Sequence, residues 1–497
     1  MSTKSDRLNT LYDVCSISPL QKVSKLSKKL GNNVYLKRED LQTVHSFKIR
    51  GAYNKMITLT DSQLKSGVIA ASAGNHAQGV ALSAQKLGVS ALIVMPKTTP
   101  QIKVDAVISY GAEVILHGDN YSETYAKCQQ LTKQTVRTFI HPFDDQLVID
   151  GQGSIAKEIL DELPTAEIIF VPIGGGGLIA GIAQYAKKIN PDIKIIGVEP
   201  TDSNAMQLSL LQNRRVSLDH VGIFSDGVAV KQVGELTFSI VKQHVDEVNT
   251  VSVDQVCAGI KSIFEDTRAI VEPAGALSVA GAEKYTKMNN LSNKNMVCIL
   301  SGANLTFERL QFIAERTLIG SGKEVLFAIK LPESPGALHK LCLEVINGYS
   351  ISELSYRYNS GKEALIFIGL NVSSPIERNK IKAKLSKYQY DYYDLTFDEI
   401  AKEHTRYMIG GKINQEFSEI ILEVNFPERP SALLEFLEKI SDNWNISLFH
   451  YRGLGSDNGR VLIGFRCDDW TVLKSLIEST GYDYTKVDST SLEAFIR

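Results

Sequence analysis

No apolar run in these 497 residues reaches membrane-spanning length. That excludes a transmembrane helix. The first residues, "MSTKSDRLNTLYDVCS", lack the apolar core of a secretory signal. They also carry acids early, unlike a transit peptide. Excess charge of either sign is missing: the net charge is −2. Nucleic acid held by bulk electrostatics is therefore excluded. Cysteine is scarce, with six scattered at 15, 128, 257, 298, 342 and 467. No Cys-x-x-Cys pair exists, which argues against zinc and for buried thiols in a reducing compartment. The expectation is a soluble cytoplasmic protein with neither membrane nor nucleic acid as partner.

What is present is globular. Hydrophobic residues make up 43% and charged residues 22%, and the length suits two or three domains. Up to about Leu318 strand-like and helix-like segments alternate. "VIAASAGNHAQGVALSAQKLGVSALIVMP" reads strand, loop, helix, strand. "YGAEVILHG", "KIIGVEP" and "NMVCILSGAN" read as further buried strands followed by turns. This pattern predicts a mostly parallel sheet covered by helices. "IGSGKE" at 319–324 is the expected hinge.

Beyond it a unit occurs twice. "FAIKLPESPGALHKL" (327–341) matches "LEVNFPERPSALLEF" (422–436), an offset of 95 residues. Each copy opens with an alternating strand: Val325, Phe327, Ile329 and Leu331, then Ile420, Leu422, Val424 and Phe426. A helix with an apolar stripe follows, Leu338, Leu341 and Val345, then Leu433, Leu437 and Ile440. Two more strands, a helix and a short strand complete βαββαβ, the ferredoxin-like plan. Two such modules are expected to pair side by side, leaving clefts at sheet edges and helix starts.

Four stretches carry candidate chemistry. "EIIFVPIGGGGLIAGIAQYAKKINPDIKIIGVEP" reads strand, glycine loop, helix, strand. A glycine loop opening a helix offers free N–H groups and the positive end of a dipole, so it suits a phosphate. Gly175, Gly177 and Ala180 also fit a dinucleotide fingerprint, with Glu199 near the place of its ribose-binding acid. Taken alone, this stretch leans towards NAD. In "HSFKIRGA", Lys48 sits beside Phe47 and Ile49. A lysine in a water-poor pocket has a depressed pKa and suits Schiff-base chemistry, although a lone lysine at a helix start is usually solvated. In "SAGNHAQG", Ser72 and the backbone could receive a carboxylate. There Asn75 is either a cap or a partner for a phenolic oxygen, and His76 is as readily structural. In "ILSGAN", Ser301 is a neutral hydroxyl able to face a ring nitrogen, or a plain turn serine.

Together, in this order and spacing, the four stretches resemble the fold-type II pyridoxal-phosphate enzymes, and within them the threonine ammonia-lyases. The doubled tail resembles the ACT-like regulatory pair of the biosynthetic form. The resemblance implies two open twisted α/β subdomains over 1–320, followed by ACT-like domains at 321–410 and 411–497. It implies pyridoxal 5′-phosphate as cofactor, anchored on Lys48. Asn75 would hydrogen-bond the ring hydroxyl, and Gly174, Gly175, Gly176, Gly177 and Leu178 would hold the phosphate. Ser301 would face the pyridine nitrogen. Ser72, Ala73, Gly74, Asn75 and His76 would form the substrate-carboxylate loop. Related serine racemases carry serine at the place of Ala73, and a metal-binding acid at the place of Ala205. Both departures turn the reading away from racemisation and from a metal site.

The implied reaction is β-elimination of L-threonine to 2-oxobutanoate and ammonia. Lys48 would take the α-proton, and a neutral Ser301 would leave the ring a weak electron sink. L-serine is the competing substrate. Isoleucine is implied as inhibitor, with valine as a candidate activator, and the assembly as a homotetramer. A nicotinamide dehydrogenase and a catalytically dead amino-acid sensor are the alternatives from other classes.

Overall fold

The computed structural model describes residues 10–332, 337–355, 363–407, 418–427, 436, 439–440, 446–452 and 458–488. It separates into two compact units, Met1–Ile313 and Ala314–Arg497.

The first unit holds ten strands: β1 (Leu20–Val23), β2 (Asn33–Arg38), β3 (Val68–Ala71), β4 (Ala91–Met95), β5 (Glu113–Leu116), β6 (Thr138–Phe139), β7 (Ile168–Pro172), β8 (Lys194–Pro200), β9 (Glu247–Val251) and β10 (Asn295–Leu300). They form two sheets, ordered β1-β2-β10-β7-β8-β9 and β5-β4-β3-β6. All pairings are parallel except β1 with β2. β3, β4 and β7 are buried along their whole length. Helices cover both faces of such strands, which is why they read as unbroken apolar runs. β5 departs from the buried strand expected of "YGAEVILHG". It is an edge strand, with Glu113 and Leu116 exposed. An edge needs no apolar face on its open side. All six cysteines are free thiols, and four of them are buried.

Two helices fix the relation between motifs. The helix Gln146–Glu162 carries Gly151 and Gly153 on the surfaces where other helices approach. A Cβ on Gly151 would lie 2.6 Å from the Arg50 carbonyl oxygen, in the helix Lys48–Met56. A Cβ on Gly153 would lie 3.0 Å from the Gly181 carbonyl oxygen, in the helix Gly177–Ile189. One helix therefore braces the lysine helix and the glycine-loop helix at backbone contact.

A buried ionic cluster anchors the lysine helix. Arg50 bonds Glu39 through Nε at 2.7 Å and Glu158 through Nη1 at 2.6 Å. Lys37 pairs with Glu158 at 2.6 Å, and Ser18 Oγ donates to Glu39. The Arg50 and Lys37 side chains are fully buried. Two cations thus face two carboxylates, and the cluster is neutral. Burial alone would raise the Glu158 carboxyl, but Arg50 and Lys37 outweigh it and hold it below the usual carboxylate value.

The second unit holds two four-stranded antiparallel sheets. In the first, β11 (Glu324–Pro332), β12 (Ser350–Ser355), β13 (Glu363–Asn371) and β14 (Tyr392–Asp394) run in the order β12-β13-β11-β14. In the second, β15 (Glu419–Pro427), β16 (Ile446–Arg452), β17 (Asn458–Arg466) and β18 (Tyr484–Lys486) run in the order β16-β17-β15-β18. Both are the ferredoxin-like order. Even an irregularity repeats: the register shifts between Ile351 and Glu353 and again between Ile446 and Leu448, at the same offset of 95.

Each copy has its own core. Val325, Phe327, Ile329 and Leu331 pack with Leu341, Val345, Ile381 and Leu385. Leu422 and Val424 pack with Phe436, Ile440, Leu473 and Ile477. Among the described residues no strand of one copy pairs with a strand of the other. Leu326, Ala328 and Phe367, which alternate with the first core, share a cluster with Ile421 and Leu462 of the second copy. Strand alternation puts these residues on the faces turned away from the helices. Residues 333–336 and 428–435, the loops where the family resemblance implies that a small amino acid binds, lie outside the described residues.

Arg50→Met leaves Glu39 with no cation and Glu158 with Lys37 alone. We expect a loss of about 3–5 kcal/mol of stability, measured by urea unfolding at neutral pH. The sign with pH follows from the lowered Glu158 value. The contribution is present above the unfolded carboxylate value of about 4.3 and disappears as pH falls through the folded one. The deficit of the variant should therefore shrink on acidification.

Candidate active site

The four motifs converge in the first unit. Lys48 is the first residue of its helix. The Phe47 N–H donates to the Ser301 carbonyl at 3.1 Å, and Ser46 forms a bridge with Gly302. The lysine segment is thus strapped to the end of β10. On its other side, Gly79 of the helix Asn75–Leu87 comes so close that a Cβ would lie 3.1 Å from the Lys48 carbonyl carbon. Asn75 opens that helix and meets the β10 loop directly, since Asn304 Nδ2 donates to Asn75 Oδ1 at 2.6 Å.

Lys48 Nζ donates to the Pro142 carbonyl at 2.9 Å. Burial pulls the amine down to about 8, and Glu272 offsets only part of that. At neutral pH about a tenth of the side chain is then neutral and nucleophilic, far more than for a solvated lysine.

The residues around Pro142 were not legible as a motif, yet they organise the site. The Phe143 ring lies against the glycine loop, so a Cβ on Gly175 would come within 2.3 Å of it. His141 Nδ1 accepts from the Asp144 N–H at 2.7 Å. Asp144 in turn accepts from the N–H groups of Glu235, Leu236 and Thr237, capping the helix Glu235–His244. Thr237 Oγ1 donates to the Gly175 carbonyl at 2.7 Å. The segment 141–144 thus ties the lysine amine, the glycine loop and its neighbouring helix together.

The glycines are required from the protein side. A Cβ on Gly174 would lie 3.0 Å from Val228 Cα, and one on Gly176 2.8 Å from Met206 Cε. Gly176 also holds φ at +95°, which favours glycine. The helix Gly177–Ile189 starts immediately after it, and no side chain caps it. Its N–H groups and dipole are open to an anion.

The substrate-loop residues differ in character. Ser72, Ala73, Gly74 and Asn75 are half-buried, and Ser72 Oγ accepts from the Gly74 N–H at 3.2 Å. The helix Asn75–Leu87 also begins without a side-chain cap. His76 is buried. Its Nε2 bonds the Ile140 carbonyl at 2.8 Å, and burial, with Lys48 adding to it, lowers the ring to about 3. It is neutral, and its contacts are those of a structural histidine. Lys103, near the Gly74 end of this loop, pairs with Asp226 at 3.1 Å, and Arg309 pairs with the same carboxylate at 3.0 Å. Asp226 is held well below the usual range: burial raises it, and the two cations more than reverse that.

Glu199 is otherwise employed. Its carboxylate accepts from the N–H groups of Met206 and Gln207, both at 2.8 Å, capping the helix Ala205–Leu211. Burial still pushes it up to about 8. A carboxyl spent on a helix cap does not present itself to a ribose, so the dinucleotide reading loses its acid.

These features fit pyridoxal phosphate. An open helix N-terminus behind a glycine loop suits the phosphate. A half-buried lysine of depressed pKa suits the aldehyde. An amide at Asn75 and a hydroxyl at Ser301 suit the ring substituents.

The comparisons agree. The model of the family described as pyridoxal-phosphate dependent enzyme matches residues 13–302. The C-terminal regulatory domain of threonine dehydratase matches twice, at 315–405 and 410–495. The chain is 49% identical to a biosynthetic L-threonine dehydratase of Pasteurella multocida over 96% of this chain and 93% of the relative. It is 45% identical to that of Escherichia coli over 98% and 94%. Among solved structures, the processed form of threonine deaminase isoform 2 from Solanum lycopersicum superposes with a TM-score of 0.62 at 47% identity, covering 63% of this chain and 92% of that one. Maize serine racemase gives 0.59 at 31% identity, over 63% and 97%.

Gly175→Ala forces the Phe143 ring off the loop. We expect at least a tenfold weaker affinity for pyridoxal phosphate, about 1.4 kcal/mol, by equilibrium dialysis against the apoprotein. An unchanged affinity would mean that the loop does not hold the phosphate.

Proposed function

Because the chain belongs to the pyridoxal-phosphate-dependent enzymes, and among them to the biosynthetic threonine dehydratases, we propose that Lys48, Asn75, Gly174–Leu178 and Ser301 hold the cofactor, and that Ser72–His76 receive the substrate carboxylate. The protein is a lyase. It converts L-threonine to 2-oxobutanoate and ammonia, a step towards isoleucine. The observation that carries the site assignment is the Lys48 amine, half-buried and held by Pro142 beside the glycine loop and its uncapped helix.

Pyridoxal phosphate, when bound, supplies the electron sink that acidifies the α-carbon of the amino acid. The residues do the rest. The N–H groups at Gly177 and Leu178 receive the phosphate. The start of the helix Asn75–Leu87, with Ser72 beside it, receives the substrate carboxylate and fixes which α-substituent faces Lys48. The neutral Lys48 amine takes the α-proton, and loss of the β-hydroxyl follows. The released enamine tautomerises and hydrolyses to the 2-oxoacid and ammonia. Ser301, a neutral hydroxyl, provides no negative charge that would favour a protonated ring nitrogen. The electron sink is thereby kept weak, which favours prompt elimination over transamination. The Phe47 ring, 5.2 Å from Nζ, gives the amine one apolar flank.

The regulatory reading rests on the duplicated modules. Their repeated fold supports two ligand positions, made unequal by Gly336 of the first copy being Ser431 in the second, and isoleucine is the effector proposed, with valine opposing it. Isoleucine must favour a less active conformation, since only differential affinity shifts a population. A homotetramer in the cytoplasm belongs to the same reading; the buried free thiols are consistent with that compartment, and analytical ultracentrifugation tests the assembly. Among the described residues no helix is long and apolar enough to cross a membrane.

Lys48→Ala should abolish 2-oxobutanoate formation, by a factor above 10³, while the protein still melts cooperatively; a near-normal rate would remove Lys48 from catalysis. The lowered amine value gives a further expectation. Covalent capture of added pyridoxal phosphate by apoprotein needs the neutral amine. Its rate should rise about tenfold per pH unit below about 8 and level off above it, read by stopped-flow absorbance.

Isoleucine should lower threonine turnover by the full chain and raise its melting temperature by mass action. Serine turnover, measured in parallel, fixes the substrate preference. Turnover and melting both indifferent to millimolar isoleucine would refute the effector assignment.

A further inference from the structure

Glu272 lies outside the four motifs, yet its carboxylate reaches into their junction. It is the N-cap residue of the helix Pro273–Asn289, but its side chain does not cap that helix. Oε1 instead accepts from Asn75 Nδ2 at 2.7 Å. Two glycines make the room. A Cβ on Gly302 would lie 2.7 Å from Oε1, and one on Gly227 would lie 3.4 Å from it. Glu272 is only 5% exposed, so the carboxyl is largely withdrawn from water. Oε2 bonds to no other described residue.

The bonds also settle which way the amide of Asn75 points. The Val44 carbonyl can only accept, and Asn304 Nδ2 donates to it at 2.8 Å. The same amino group donates to Asn75 Oδ1. Asn75 therefore turns its oxygen to Asn304 and its amino group to Glu272. Glu272 takes one of the two amide hydrogens. The other remains for a ligand.

We infer that Glu272 is a positioning residue for the cofactor's ring oxygen: it locks the Asn75 amide so that its second hydrogen faces that oxygen, and it holds one exchangeable proton beside it. This rests on the cofactor site proposed above. The surroundings support the second part. Asp226 faces Glu272 as a like charge, Lys103 and Arg309 as opposite ones, and Lys48 senses its charge. Burial first, then Asp226, raise the carboxyl to about 7, against Lys103, the Asn75 bond and Arg309. Glu272 is therefore neutral at mildly acidic pH and charged at mildly alkaline pH. A brace would work as well with a permanently neutral amide; a proton-holding group would not.

The test uses two full-length variants and pyridoxal phosphate itself. Glu272→Ala removes the brace, while Glu272→Gln keeps an acceptor for Asn75 and removes the titration. For Glu272→Ala we expect at least tenfold weaker cofactor binding and a shifted absorbance maximum of the bound form. For wild type we expect a spectral step near neutral pH, and for Glu272→Gln an affinity within about threefold of wild type with that step lost. Wild-type affinity and spectrum in Glu272→Ala would overturn the positioning role. If Glu272→Ala does not fold, at least tenfold weaker cofactor binding by Asn75→Ala carries that role and unchanged binding overturns it. A Glu272→Gln spectrum that titrates like wild type would overturn the proton-holding role. A wild-type chain that binds no pyridoxal phosphate would overturn the cofactor site itself, a different failure from a wild-type chain that binds it and a Glu272→Ala that binds it equally.

Discussion

Arg50 is the point on which the first unit turns. Its guanidinium is fully buried and is shared between Glu39 and Glu158, which come from distant parts of the chain. Desolvating a guanidinium and two carboxylates is expensive, and the attraction inside the protein returns that cost only in good geometry. The donors are used in several directions: Nε and Nη2 on Glu39, Nη1 on Glu158 and Ser154. An apolar core of similar volume would tolerate small slips; a forked ion cluster does not. Lys48 lies two residues away on the same helix. The lysine amine therefore inherits its position from a charge cluster that takes no part in the chemistry.

Much of the fold could be read in the sequence because its signals are repeated and periodic. An unbroken apolar strand such as Ile168–Pro172, followed by a glycine turn and an amphipathic helix, has few other interpretations. The duplicated tail was legible through its offset, and the register irregularity recurs at that offset too. Position within a sheet was less legible. "EVIL" looks the same to a reader whether it lies at the centre or the edge. That the two modules would pair was expected, but not the face through which they do so. The residues that join them, Leu326, Ala328 and Phe367, are ordinary strand residues whose partners lie in the second copy.

The candidate site divides in the same way. Lys48, Asn75, Gly174–Leu178 and Ser301 stand in compact stretches whose composition is unusual, and the fold brings those stretches together. Phe143, Asp144, Asp226 and Glu272 gave no warning. Each acts singly, through a ring against a glycine, a cap on another helix, or a carboxylate reaching across a loop. The glycines at 227 and 302 were a faint signal for Glu272, since space left empty implies something that fills it. Glu199 misled for the opposite reason. It sits at a position suggestive of ligand binding and spends both oxygens on a helix start.

The two modules of the tail share one apolar layer, and that has a consequence for how such a tail could arise and change. A single copy, cut out or newly made, would show Leu326, Ala328 and Phe367 to water on a face that strand alternation makes continuous. That is the kind of surface that aggregates. The second copy covers it. After duplication, the halves were therefore free to diverge at their loops and helices but not at the seam. A change there in one half must be met by a compensating change in the other. The tail is best viewed as one heritable object, in which drift is permitted at the rims and matched along the middle.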